Sequence, residues 1–332
     1  MKLLVTGGAG FIGSNFIRAI LTTHAGDSVV NLDKLTYAGN RANLADVEHL
    51  PRYAFVHGDI ADAKLVRDVA AGVDAVVNFA APSHVDRSIL EPDEFLRTNV
   101  LGVQVLLDAV RELRIPRLLH VSTDEVYGSI ATGAAREDAP LRPTNPYSAA
   151  KASGDLLALA AWATHGVPVV ITRSSNNFGP YQYPEKLIPL FVTNALDGLP
   201  LPLYGDGQQV RDWLYVLDNC AAIDLVLRRG REGEVYNIGG GHEVTNIALT
   251  RQILALLGKP ESLVQPVTDR PGHDRRYALD AAKVASLGWT PRHAFADALA
   301  QTVGWYREHE PWWRPLKSGE FRAYYERQYG RR

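Results

Sequence analysis

Tyr147 and Lys151 stand four residues apart in Tyr147-Ser148-Ala149-Ala150-Lys151. On a helix that spacing puts phenol and ammonium on one face, where the positive charge lowers the phenol's pKa. A tyrosine so placed can act as a base near neutral pH. A second group, Thr123-Asp124-Glu125, follows the apolar run Leu118-Leu119-His120-Val121-Ser122. By position alone, an exposed pair of acids is the simpler assignment. Two carboxylates whose environments split their pKa values can instead divide the work of acid and base.

These groups cooperate only if the fold brings residues 123–125 beside residues 147–151. Short apolar runs alternate with segments of helical period, as in a parallel sheet covered on both faces. Strands are expected near 2–6, 28–32, 53–57, 74–79, 117–122 and 167–172, with helices near 11–24, 62–71, 93–113 and 147–165. Thr123 then falls at a strand's C-terminal end, the edge where ligands bind in open α/β sheets. From about residue 175 prolines and glycines crowd in, and elements shorten. A strand at 234–238 and helices near 245–257, 280–288 and 294–308 follow. The expected division is a first domain over 1–175 and a smaller mixed α/β lobe over 176–332. Some segments of the second return to the first, leaving a cleft between them.

Gly7-Gly8-Ala9-Gly10-Phe11-Ile12-Gly13 follows the first strand and opens a helix. Gly7 suits a tight turn, Gly10 lets a pyrophosphate approach the backbone, and Gly13 allows helix and strand to pack closely. The helix N-terminus supplies amides and partial positive charge. Asp33 lies 20 residues beyond Gly13, at the end of the second strand, where a carboxylate accepts from ribose hydroxyls. It would repel a 2′-phosphate, so NAD is expected rather than NADP. The first domain is therefore a Rossmann-type doubly wound parallel sheet. Asp59 could face the adenine; taken alone it reads as a helix N-cap before Ala61-Asp62-Ala63. A bound nicotinamide cation would further lower the Tyr147 pKa.

Composition narrows the class. The 332 residues carry 35 basic and 37 acidic side chains, a formal charge of −2, which gives no electrostatic case for nucleic acid or an anionic membrane as partner. A single cysteine, Cys220, excludes an intramolecular disulfide and any multi-cysteine metal site, and no metal is expected. No uncharged apolar run approaches the ~20 residues of a membrane helix. The chain opens directly into Lys2-Leu3-Leu4-Val5-Thr6 without a leader pattern, so a cytoplasmic protein is expected.

Longer stretches carry a resemblance. They include Asp33-Lys34-Leu35-Thr36-Tyr37-Ala38-Gly39-Asn40, Ser83-His84-Val85-Asp86-Arg87-Ser88 and Ser122-Thr123-Asp124-Glu125-Val126-Tyr127-Gly128. Further along come Ser175-Asn176-Asn177-Phe178-Gly179-Pro180, Pro184-Glu185-Lys186-Leu187-Ile188-Pro189, Arg211-Asp212-Trp213-Leu214-Tyr215-Val216 and Asp269-Arg270-Pro271-Gly272-His273-Asp274-Arg275-Arg276-Tyr277. With the glycine turn, they make the chain similar to the dTDP-glucose 4,6-dehydratases of the extended short-chain dehydrogenase/reductase superfamily, nearly end to end.

That resemblance implies an internal redox cycle. Tyr147 would take the proton of the sugar 4-hydroxyl as hydride leaves C4 for NAD, with Thr123 on the C4 oxygen and Lys151 on Tyr147 and the nicotinamide ribose. Glu125 would remove the C5 proton and Asp124 protonate the departing 6-hydroxyl, after which hydride returns to C6 and Glu125 reprotonates C5. NAD must then stay bound throughout. Its implied contacts are the glycine turn, Phe11, Ile12, Asp33, Lys34, Leu35, Thr36, Asp59, Ile60, Phe79, Ala80, Ala81, Ser83, Thr98 and Asn177. The nucleotide sugar would meet Ser83, Thr123, Asn176, Lys186, Leu187, Pro202, Leu203, Tyr204, Arg211, Asn246, Asp269, Arg270, Pro271, Gly272 and His273. Arg211 and Arg270 suit a pyrophosphate, offering fixed charge and forked donors. Tyr204, in a proline-rich loop, could stack on the base; His273 reads equally as a structural histidine.

One departure stands beside the site: Ala80-Ala81-Pro82-Ser83-His84 has proline where the family often has glutamate. The segment Ser129 to Asn145, before the tyrosine, is also short for the family. A UDP-sugar 4-epimerase or UDP-glucuronate decarboxylase shares the fold, NAD and the Tyr/Lys pair, but needs no acid to expel a 6-hydroxyl. A non-catalytic NAD-binding regulatory protein would be expected to lose that pair. The superfamily also implies a homodimer through a four-helix bundle of the helices near 95–113 and 148–164. Their apolar residues include Val100, Val103, Leu106, Leu107 and Val110, then Leu156, Leu157, Leu159 and Trp162.

Overall fold

The computed structural model describes residues 1–329. Its central sheet contains β1 (Lys2–Thr6), β2 (Ser28–Asp33), β3 (Tyr53–His57), β4 (Ala75–Asn78), β5 (Leu118–Thr123), β6 (Val169–Ser174) and a seventh strand, Val235–Ile238. The order is seventh–β6–β5–β4–β1–β2–β3, and every neighbouring pair is parallel. The chain leaves β1 in one direction through β2 and β3 and in the other through β4, β5 and β6. This places a crevice at the C-terminal ends beside β1 and β4, as expected where strand order reverses.

Alternation along β1 divides the core. Leu3 and Val5 join Phe16, Ile17 and Ile20 of helix α1 (Phe11–Thr23) and Ile223 and Val226 of helix Val216–Arg229. Leu4 faces the other way, with Leu106, Leu107 and Val110 of helix Val103–Leu113 and Ala158 of helix Pro146–His165. Both faces are therefore closed, and all four residues of β4 and all six of β5 are buried. The second lobe has its own core, in which Phe178, Phe191, Leu201, Trp213, Ile253, Tyr306 and Trp313 pack together. The seventh strand and helix 216–229 lie beyond residue 175 yet complete the first domain's sheet and one of its faces.

Local rules differ from the sequence expectation in three places. Asp62, not Asp59, caps helix Ala63–Ala70 by accepting from Lys64 and Leu65 amides. Asp59 instead turns onto the Ala61 amide at 2.9 Å and pairs with Lys34 and Arg97. The helical stretch over 93–113 carries a wide π turn at Arg97–Gly102, which places Thr98 in the wall of the main cavity. Tyr204 ends a strand, Leu201–Tyr204, paired with Val264–Val267, rather than lying in a loop.

Candidate active site

The glycine turn is built for close approach. Gly7 has φ +71°, and a Cβ there would lie 2.5 Å from the Ala80 amide nitrogen, so only glycine fits. A Cβ on Gly13 would lie 2.4 Å from the Gly7 carbonyl oxygen, which is the helix-on-strand contact. A Cβ on Gly10 would meet, among the described residues other than its chain neighbours, only that same oxygen at 3.3 Å, leaving an open cradle at the start of α1. Asp33 ends β2 with both oxygens engaged, Oδ2 by the Ala9 amide and Oδ1 by the Leu35 amide, each at 2.8 Å. Burial raises its pKa, and those two amides oppose the rise. An open glycine cradle at a helix N-terminus and a fixed carboxylate at the next strand end fit a dinucleotide with a free ribose 2′-hydroxyl.

The Tyr/Lys helix is fixed at its first turn. Asn145 accepts from the Ser148 amide at 2.9 Å, Ser148 answers onto the Asn145 amide, and Pro146 sits at the first helical position. The Tyr147 amide donates to Ser88 Oγ at 3.2 Å, tying this turn to helix Val85–Leu90. Tyr147 and Lys151 are both buried. Lys151 Nζ donates to the Val121 carbonyl of β5 at 2.7 Å, and burial pushes its pKa down to about 8, with Asp155 resisting. The Tyr147 phenol is pushed well above its ordinary value, first by burial and then by the Glu125 charge. The lowering expected from Lys151 is thus not realised in the protein alone, because that ammonium is spent on a strand carbonyl and its own burial is severe.

The acids follow β5 directly. Thr123 Oγ1 accepts from the Glu125 amide at 3.3 Å, capping a tight turn over Asp124–Tyr127. Asp124 is 3% exposed; its Oδ1 accepts from the Thr123 hydroxyl at 3.2 Å, and its Oδ2 is buried without a partner among the described residues. Burial raises its pKa well above the carboxylate range, reinforced by the nearby charges of Glu125 and Asp212. The setting therefore favours the protonated form of Asp124, as a proton donor requires. Among the described residues, Glu125 Oε2 is also buried without a partner.

Two cavities meet at these groups. The larger, about 590 Å³, is lined by Gly7, Gly10, Phe11, Ile12, Gly13, Asp33, Lys34, Thr36, Asp59, Ile60, Phe79, Ala80, Ala81, Ser83, Thr98, Thr123, Asp124, Tyr147, Lys151 and Asn177. The smaller, about 140 Å³, is lined by Asn176, Lys186, Leu187, Pro202, Leu203, Tyr204, Arg211, Asn246, Arg270 and His273. Glu125, Asn176, Asn177, Gln182, Glu185 and Lys186 line both. Four expected contact residues line neither. Leu35 gives its backbone to Asp33, and Asp269 anchors His273, Gln209 and the Arg270 amide from behind. Pro271 and Gly272 form the turn next to it, where the Gly272 carbonyl accepts from Thr144.

Within the smaller cavity, Arg270 reaches Asp86 at 3.4 Å, and the Tyr204 hydroxyl donates to the other Asp86 oxygen at 2.9 Å. Arg211 stacks 4.3 Å from the Tyr277 ring centroid and donates to the Asp274 carbonyl. Burial and Arg270 bring His273 down to about 4, so it is neutral and held by Asp269. Residues that sequence reasoning left without a role also line the cleft: Tyr37, Asp86, Arg87, Gln182, Glu185, Tyr277, Glu320 and Tyr329. Most lie inside the stretches that carry the resemblance; Glu320 and Tyr329 had no sequence signal.

The chain is similar to known proteins over nearly its whole length. A family model described as GDP-mannose 4,6 dehydratase matches residues 4–302. The chain is 58% identical over 323 residues to a dTDP-glucose 4,6-dehydratase of Streptomyces niveus, covering 96% of each. Among solved structures, the dTDP-glucose 4,6-dehydratase DesIV of Streptomyces venezuelae with NAD and TYD bound superposes with a TM-score of 0.94 at 57% identity, covering 96% of this chain and 100% of that one. A UDP-glucuronic acid 4-epimerase of Bacillus cereus, in complex with UDP-glucuronic acid and NAD, shares the fold at a TM-score of 0.86 but is 28% identical, covering 93% of this chain and 99% of its own.

Proposed function

The chain belongs to the dTDP-glucose 4,6-dehydratases of the extended short-chain dehydrogenase/reductase superfamily, and on that footing we propose how its own residues carry the reaction. The enzyme is an NAD-dependent hydro-lyase converting dTDP-glucose to dTDP-4-keto-6-deoxyglucose. NAD, held between the glycine turn and Asp33, supplies the redox couple that oxidises C4 and later reduces C6.

Tyr147 takes the proton of the 4-hydroxyl, and Thr123 holds the C4 oxygen. Burial raises the pKa of the Tyr147 phenol, so it needs positive charge nearby; Lys151, one helical turn away, must turn from the Val121 carbonyl toward the phenol to supply it. Glu125 removes the proton on C5 once the 4-ketone has acidified it. Asp124 donates to the departing 6-hydroxyl, and Glu125 returns the proton to C5. The observation that supports this assignment is the setting of Asp124: a buried carboxyl whose protonated form burial and nearby acids favour, with one oxygen unpartnered among the described residues, directly before Glu125. An epimerase has no use for such an acid.

Arg211 and Arg270 bind the diphosphate and Tyr204 the base, so Arg270 must exchange Asp86 for phosphate oxygens. Residues 1–175 hold the cofactor and 176–332 mainly the nucleotide sugar; the last three of these lie outside the described residues. The enzyme acts in the cytoplasm, and its product feeds rhamnose or another deoxysugar. It works as a homodimer through a four-helix bundle. Val103, Leu106, Leu107 and Val110 are spent on the core, but Leu96, Leu101 and Leu156 are 52%, 49% and 57% exposed on the helices concerned, which supports pairing. A monomeric mass in solution at working concentration overturns the dimer.

The deciding experiment supplies dTDP-glucose and UDP-glucose to the purified protein with no cofactor added. A product lighter by one water, with no net reduction of NAD, is the expected outcome, with dTDP-glucose preferred. An unchanged mass with inverted C4 would make the enzyme an epimerase and remove the roles given to Asp124 and Glu125.

A further inference from the structure

Part of the larger cavity's wall is a cluster that neither the glycine turn nor the acids account for. Arg87, on helix Val85–Leu90, places its guanidinium between two rings, 3.8 Å from the Tyr37 centroid and 4.4 Å from that of Tyr324. Its Nε donates to Glu185 Oε2 at 2.9 Å and its Nη1 to Glu320 Oε1 at 3.2 Å. The other Glu185 oxygen accepts from the Tyr37 hydroxyl at 2.8 Å. Tyr37, Arg87, Glu185 and Glu320 all line the cavity.

Three distant segments are thus fastened at the guanidinium of a fourth. Tyr37 belongs to the loop after β2, whose Asp33, Lys34 and Thr36 line the dinucleotide site. Glu185 belongs to the second lobe, and Glu320 and Tyr324 to the C-terminal helix Glu320–Tyr329. That helix reaches the smaller cavity as well, where Gln328 Nε2 donates to the Tyr204 hydroxyl at 2.6 Å. The Glu185 side chain is 3% exposed and that of Arg87 16%, so this pair is largely shielded from water, where charge pairs are strongest, whereas Glu320 closes the cluster from the exposed side.

A cycle that oxidises C4 and reduces C6 of the same sugar must use one cofactor molecule for both. If the reduced cofactor leaves between the two, a 4-keto hexose that has kept its 6-hydroxyl is stranded. We propose that Arg87 is a positioning residue that fastens the Tyr37 loop and the C-terminal helix to Glu185, closing the cavity wall so that the dinucleotide stays through turnover. The proposal rests on the dehydratase function given above.

The test compares Arg87→Ala and Arg87→Lys with the parent by two readouts. One is the dinucleotide remaining after gel filtration; the other is release of reduced cofactor during turnover, captured by a second dehydrogenase that consumes it. Arg87→Ala should lose bound dinucleotide and release the reduced form roughly tenfold faster or more, a shift of the size expected for one lost charged contact. Added NAD should restore its turnover, and the stranded keto-sugar should accumulate. Arg87→Lys, which keeps the charge but not the planar stack, should fall between. Retention and release equal to the parent's in folded Arg87→Ala would overturn the proposal. If that variant does not fold, Tyr37→Phe and Glu320→Gln decide, and unchanged release in both overturns it equally. A parent that does not dehydrate dTDP-glucose would instead sink the dehydratase function, because dinucleotide retention is read without substrate.

Discussion

Lys151 and Asp155 lie one turn apart on the buried face of the same helix, and the carboxylate opposes the fall that burial imposes on the ammonium's pKa. Asp155 is held by Arg173 Nε at 2.8 Å, while Lys151 Nζ points to the Val121 carbonyl at 2.7 Å. Burial takes Lys151 from 10.5 down to about 8, and Asp155 is the influence opposing that fall. Lys151 therefore loses its proton as pH rises through about 8, so the alkaline limb of kcat/KM should lie there. Asp155→Asn removes the opposing charge and should move that limb to lower pH, measured as a pH–rate profile. It also breaks a buried ion pair, so its melting temperature should fall by an amount matching about 3–5 kcal/mol. An unmoved limb in the folded variant would detach Asp155 from Lys151.

Asp124→Asn and Glu125→Gln should each leave NAD bound and slow water loss by about 10²–10⁴-fold, the usual range for a lost general acid or base. They should differ in solvent deuterium exchange at C5. Asp124→Asn keeps the base and should still exchange, whereas Glu125→Gln should not. Full dehydratase turnover by Asp124→Asn would show that another group is the acid.

Two glycines of one turn should fail differently. Gly7→Ala puts a side chain at positive φ and against the Ala80 backbone at 2.5 Å, so it should destabilise the fold by more than about 1–2 kcal/mol. Gly10→Ala meets only the Gly7 oxygen at 3.3 Å, so its melting temperature should stay near the parent's while NAD affinity drops. Thermal melting and NAD titration of both variants check the pair.

Asp33→Asn should narrow the preference for NAD over NADP by roughly tenfold or more, since it removes a like charge facing a 2′-phosphate. The amide cannot accept from both the Ala9 and Leu35 N–H groups as the carboxylate does, so some stability should go as well. Binding titrations with both dinucleotides give the ratio; an unchanged ratio would place the discrimination elsewhere.

What the sequence determined by itself is local. The Tyr147–Lys151 spacing, the capping residue Asn145 with Pro146, and the glycine turn are short-range patterns that dictate their own geometry. Strand and helix positions in the first half follow from apolar period, and the seventh strand was legible as a strand but not as part of this sheet. Only the tertiary structure decided the chemistry of the groups. The pKa of Asp124 is raised because the fold buries it beside Glu125 and near Asp212, 88 residues further along. Tyr147 is raised rather than lowered because desolvation outweighs an ammonium turned toward β5. Arg87 meets Tyr37, Glu185, Glu320 and Tyr324 across gaps that no periodicity records. Burial and long-range charge are properties of the packed chain, and they set which of its many acids, bases and cations can react.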